Sequence, residues 1–199
     1  MTESKPTEER RKEIIEAARR LFLTKGYQAT GTADIMNAVG IAKGTLYYHF
    51  SSKEEILDAL LDEMTDQMEN AARPFGEEST LPVPDRMIGV IRALHIGDGP
   101  IIDALHLPEN ALFHQKSHAL TIAKIGPVMR KIVEDGIRQG LFHTEYPMSA
   151  VEISLSYSMA GFELGNLPDE ERISGFLYNM ERMLGAKEGS LKKLRVLFG

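Results

Sequence analysis

Cysteine is absent from the sequence. Without it there is no disulfide framework, no thiolate nucleophile and no cysteine-ligated zinc. Long apolar runs are missing too: no uninterrupted stretch reaches membrane-spanning length, and the opening MTESKPTEERRKE lacks the apolar centre of a signal peptide. The expectation is therefore a cytoplasmic protein with no membrane partner. The sustained alternation of a half-buried strand is nowhere found, and neither is an internal repeat or a low-complexity tract. A nucleophile elbow, a phosphate loop and a paired-carboxylate motif are likewise missing, so the residues give no support to an enzyme.

What is present is a helical protein of ordinary globular composition, with 43% hydrophobic and 26% charged residues, long enough at 199 residues for a small domain joined to a larger one. The net charge of −6 argues at first against a nucleic-acid partner. Its distribution does not: residues 1–55 hold nine Lys/Arg against eight Asp/Glu, and the acidity belongs to the remainder. Phosphates respond to the nearby field, which leaves room for a local basic face on the first segment.

In TEERRKEIIEAARRLFLTKGY the apolar residues Ile14, Ile15, Ala18, Leu21 and Phe22 form one helical stripe, with Gly26 as a left-handed stop. A short second helix is predicted from about Thr30 or Gly31, with Asp34 favourable in its first turn and Ile35, Ala38 and Val39 facing inward, ended by Gly40. A third helix is predicted from Lys43 to His49 with Leu46 and Phe50 as its apolar side. Ser51 or Ser52 caps a fourth, aided by Glu54 or Glu55 and carrying Ile56, Leu57, Leu60, Leu61 and Met64. The stretch RPFGEESTLPVPD, Arg73 to Asp85, reads as a linker because it holds three prolines and a glycine. Further helices are predicted at about 84–95, 100–106, 109–139, 148–165, 168–186 and 190–198.

The second and third helices, joined through Gly40, Ile41 and Ala42, form a helix-turn-helix. With Leu46 and Phe50 inward, the 3.6-residue period turns Lys43, Gly44, Tyr47, Tyr48 and His49 outward or to the flanks. Gly44 is a poor helix-interior residue, reasonable where a backbone must come close to a ligand. These stretches, KGYQAT, ADIMNAVG and GIAKGTLYYHFSSKEE, resemble the N-terminal DNA-binding domain of the TetR family of bacterial transcriptional repressors over residues 8–57. That family's pattern ends a first helix at Gly-Tyr and continues as Gly-Val-Ser-Lys-Gly-Thr-Leu-Tyr-x-x-Phe-x-Ser-Lys-Glu.

The resemblance implies an all-α fold, with a helix-turn-helix domain at 1–55 joined to a helical effector-binding and dimerisation domain at 56–199. It implies a homodimeric transcriptional regulator that binds double-stranded DNA at a palindromic operator and is released by an inducer; a small apolar inducer is expected from the adaptable apolar side chains of Met68, Met87, Phe113 and Met129, and no cofactor is expected. It places Lys43, Gly44 and Thr45 in the major groove, Tyr47 and Lys53 on phosphates, Tyr48 and His49 on phosphates or base edges, and Thr32 on phosphate at the start of the second helix. Ala42, where the family often has a serine cap, and Ala33, where some members have a polar contact residue, are departures that make direct readout sparse.

By the same resemblance, the helices at 148–165 and 168–186 form the dimer interface. Ser154, Ser158, Gly161 and Gly165 are small residues that would let helices approach closely. Candidate effector-pocket residues are Met68, Met87, Ile91, His95, Leu105, His106, Asn110, Phe113, His114, Ile122 and Met129, among which the methionines adapt to varied ligand shapes. His114 and His118, spaced i,i+4, share a helix face and raise metal or haem sensing as an alternative. An enzyme using the histidines with Glu109 or Glu163 as acid–base groups is the alternative of another class.

Overall fold

The computed structural model describes residues 7–94, 111–160 and 169–198. They form α1 (Thr7–Lys25), α2 (Thr32–Val39), α3 (Lys43–His49), α4 (Lys53–Glu77), α5 (Val83–Ala93), α6 (Ala111–Arg138), α7 (Pro147–Ala160) and α8 (Asp169–Leu184). A closing 3-10 helix covers Lys192–Leu197, where a final α-helix was predicted. The helix predicted at 100–106 lies outside the described residues. So do Gly161, Gly165, Glu109 and Glu163. Two compact units hold the described residues: the first takes those of Met1–Met64 and Gly97–Ser117, the second those of Thr65–Ile96 and His118–Gly199. The division expected after residue 55 falls within the unbroken α4, and the compact units part at Met64.

In the first unit, Ile14, Ile15, Ala18 and Phe22 of α1 are buried with Ile35, Leu46 and Phe50. Ile56, Leu57, Leu60 and Leu61 of α4 are buried in the same unit. Gly26 and Gly40 end α1 and α2 at φ of 86° and 73°, values at which a Cβ would be strained. The cap of α4 is Ser52, whose Oγ accepts the Glu55 N–H at 3.1 Å, while the Glu55 carboxylate accepts the N–H and hydroxyl of Ser51, each at 2.6 Å. One inward prediction fails: of α2 only Ile35 is buried, with Ala38 exposed and Val39 half-buried. Two helical turns offer few positions on a single side, and Ile35 occupies the inner one.

In the second unit, α5 is buried almost all round, from Val83 to Ala93, except at a few positions. It shares a core with Ile125, Met129, Ile132 and Val133 of α6, Val151 and Leu155 of α7, and Phe176, Leu177 and Met180 of α8. The predicted linker is corrected here. Arg73, Pro74, Phe75 and Gly76 continue α4 to Glu77, and α5 begins at Val83, so a short connection alone separates them. Partners remote in sequence hold that last turn. Arg86 Nε donates to the Phe75 carbonyl at 2.8 Å and Nη2 to the Gly76 carbonyl at 3.0 Å, satisfying oxygens that a helix end leaves without intrahelical donors. Gly76 lies so near α6 that a Cβ on it would stand 2.8 Å from Val128 Cγ1, and a Cβ on Gly89 would run into the Phe75 ring.

Candidate nucleic-acid interface

Leu46 fixes how α3 is turned. It is 1% exposed, as is Phe50 at the end of the helix, and truncating such a residue costs about 2–5 kcal/mol, enough to set the helix rotation. Everything else on α3 follows from that. Lys43, Gly44, Tyr47 and Tyr48 are exposed, and Thr45 and His49 are half-buried. Tyr48 is 75% exposed, an unusual position for so large a ring, with His49 packed edge-on at 5.0 Å between centroids. The Lys43 ammonium stands 5.7 Å from the centre of the Tyr47 ring. A phenol, an imidazole and an ammonium thus share one outward surface whose hydroxyls and N–H groups suit phosphate oxygens and base edges.

Gly44 has no internal reason to be glycine. Its φ is not positive, it is exposed, and a Cβ built on it would meet nothing within 4 Å. Thr32, half-buried, opens α2 beside Gly31. The Asp34 carboxylate accepts the Gly31 N–H at 2.7 Å and pairs with Lys25 at 2.8 Å. The hydrogen bond from Lys25, followed by that from Gly31, holds the Asp34 carboxyl below its usual range.

Lys53 is placed differently from a free surface lysine. Its ammonium donates to the carbonyls of Tyr27 at 2.8 Å and Thr30 at 2.9 Å and lies 4.2 Å from the Tyr27 ring centre. Burial lowers its pKa. Two of its three N–H bonds are therefore internal. Nearby, Lys116 of α6 pairs with Glu54 at 2.8 Å and Asp58 at 2.6 Å, partly neutralising the acidic start of α4, a cross-tie the sequence does not announce.

In the second unit the structure brings Met87, Ile91 and Met129 together on the wall of a cavity with Val133, Ala150, Val151, Ser154, Leu155, Phe176, Met180 and Leu184. Its volume is about 20 Å³, room for roughly one water molecule. Among the described lining residues Ser154 alone carries a hydroxyl. Met68 is half-buried against the same core, and Ile122 and His114 are half-buried, while Phe113 is buried in the first unit. His95, Leu105, His106 and Asn110 lie outside the described residues. The walls contributed by α7 and α8 were missed because those helices were assigned to an interface between copies. Phe176 and Met180, four apart on α8, were the available signal. Among the described residues no group of three or more His, Asp or Glu side chains is arranged to hold a metal ion.

Residues 14–60 match the profile of bacterial regulatory proteins of the tetR family, and residues 100–171 match a tetracyclin repressor-like C-terminal domain. The repressor KstR2 of Rhodococcus jostii is 30% identical over 143 residues, 68% of this chain and 69% of that protein. The chain belongs to the TetR family. The regulator TtgR of Pseudomonas putida is 32% identical over 111 residues, 55% of this chain and 51% of that protein, so the chain spans about half the length of this TetR-family relative. Among solved structures, RolR in complex with resorcinol aligns with a TM-score of 0.67 at 22% identity, covering 97% of this chain and 94% of that one. At that identity the likeness establishes the fold, an all-helical TetR-type arrangement with the helix-turn-helix in α2 and α3.

Proposed function

We propose that the protein is a transcriptional repressor that binds a palindromic double-stranded DNA operator as a homodimer and releases it when a small, mostly apolar molecule enters the second unit. One observation carries the DNA reading: burial of Leu46 and Phe50 turns Lys43, Gly44, Tyr47 and Tyr48 to solvent on one short helix. α3 is then the recognition helix, with Lys43, Gly44 and Thr45 toward bases, Tyr47, Tyr48 and His49 toward phosphates or base edges, and Thr32 on a flanking phosphate. Lys53 has one N–H left for a phosphate after its two carbonyl contacts.

The homodimer is supported by α7 and α8, which expose Ile153, Tyr157 and Tyr178 at 53%, 38% and 51%. A two-fold interface of this kind matches a two-fold operator. The apolar cavity, with Ser154 as the one polar side chain among its described lining residues, supports an apolar effector over a metal.

Operator selection from a random duplex library with purified protein tests the reading. A palindromic sequence should emerge. Lys43→Ala should lose about 1–3 kcal/mol of affinity, concentrated at one base pair of each half-site. Enrichment of no sequence, or a Lys43→Ala variant that binds the selected site like the parent, would overturn it.

A further inference from the structure

Among the described residues Arg86 is the largest fully buried side chain outside the aromatic and aliphatic core, with none of its surface exposed. A buried cation is costly unless it is paired and hydrogen-bonded. Here it grips a helix end. Its Nε and Nη2 donate to the Phe75 and Gly76 carbonyls of α4, and its Nη1 lies 2.7 Å from Asp135 Oδ2 of α6, at an angle outside that of a hydrogen bond. Asp135 also pairs with the exposed Arg138. The grip is completed by packing: the Phe75 ring rests on Gly89 of α5, and Gly76 rests against Val128 of α6.

The same stretches of α5 and α6 wall the cavity. Met87 follows Arg86, and Met129 and Val133 lie between Val128 and Asp135. At about 20 Å³ the cavity is far below the roughly 300 Å³ or more of an organic-ligand site, so an occupant must displace part of the wall. Where the displaced wall is α5 against α6, the contacts at stake are those of Arg86 with Asp135 and with the α4 carbonyls. α4 is one unbroken helix from there to Lys53, whose ammonium holds the carbonyls of Tyr27 and Thr30.

We propose that Arg86, aligned by Asp135, is a positioning residue that clamps the last turn of α4 in the DNA-competent state, and that occupancy of the apolar cavity acts by opening this clamp. The proposal rests on the DNA-binding, effector-released reading above.

The test uses the full chain, an operator selected with the parent protein, and cavity filling in place of an unidentified effector. Asp135→Asn keeps the shape of the site and removes the charge that aligns Arg86; Arg86→Met removes the grip itself. Ala150→Val adds two methyl groups to the cavity wall, more than about 20 Å³ accommodates without movement. Operator affinity is read by fluorescence anisotropy, the α4 end by hydrogen exchange of a peptide spanning 73–80, and folding by thermal melting. In variants that melt cooperatively, Asp135→Asn and Ala150→Val should each speed exchange in 73–80 and each weaken operator binding by about tenfold, and their combination should weaken it no further. Arg138→Ala, which removes only the exposed partner of Asp135, should match the parent in both readouts.

If Asp135→Asn speeds local exchange but binds operator like the parent, the clamp is structural only and the proposal falls. If the two losses add in full, the cavity and the clamp act separately, and it also falls. Should Arg86→Met not fold, the Asp135→Asn and Ala150→Val arms still decide. Failure of the parent to select any operator would instead overturn the DNA-binding reading itself, and the clamp with it.

Discussion

Lys53 donates a 2.8 Å hydrogen bond to the carbonyl of Tyr27 while its ammonium stands 4.2 Å from the centre of that residue's own ring. One side chain thus joins the start of α4 to the turn that follows α1. Lys53→Ala leaves the Tyr27 and Thr30 carbonyls without this donor and should lower stability by about 1–3 kcal/mol in urea unfolding. Lys53→Arg, keeping charge and donors, should recover much of it. Unchanged unfolding midpoints would show the contacts to be weak.

Gly44→Ala should separate folding from binding. No atom lies within 4 Å of the added methyl, and alanine is the better helix former, so stability should stay level or rise by up to about 1 kcal/mol. Affinity for the selected operator should fall, because the missing side chain leaves space for the groove. A variant that is both stabilised and fully competent for DNA would assign Gly44 no role in recognition.

The stability of the helix-turn-helix should fall in acid. Hydrogen bonds from Lys25 and Gly31 depress the Asp34 pKa, and those from the Ser51 hydroxyl and N–H depress that of Glu55. For groups depressed in the folded state, the stabilisation is present above the unfolded pKa and is lost as pH falls through the folded one, hence below about pH 4. Asp34→Asn with Glu55→Gln should melt lower than the parent at neutral pH and flatten the acid dependence in that window. Parallel curves for parent and variant would contradict the assignment.

How much of this was legible in the sequence depends on where each element finds its partners. α1 to α3 were readable almost to the residue because Gly26 and Gly40 stop the helices locally and Leu46 and Phe50 mark the inner side of α3. The end of α4 was not. Pro74 and Gly76 carry breaker signals, and the donors that keep this turn helical come from Arg86, on another helix. The cavity was half legible: methionines at 87 and 129 pointed to it, but α7 is apolar on more than one side, and sequence alone could not say which side faces inward.

Assembly should depend on that outer side. Ile153→Glu with Tyr178→Glu places charge on exposed apolar positions of α7 and α8 and should give a monomer in sedimentation that no longer binds a palindromic site, while a single half-site is bound weakly as before. A variant that remains dimeric would move the interface elsewhere.

α7 is in effect a party wall. Ala150, Val151, Ser154 and Leu155 line the cavity on one side, while Ile153 stands exposed on the other, where a second copy is proposed to pack, and Tyr157, stacked on Phe176 at 5.1 Å, stands at the edge between them. Mutational drift on this helix is therefore constrained twice over, since a change that suits a new effector disturbs the surface used for pairing. Met87 and Ile91 on α5 carry no such double duty, being buried within their own unit. New effector specificities should arise there first, and laboratory evolution toward a different inducer should accumulate substitutions on α5 ahead of α7.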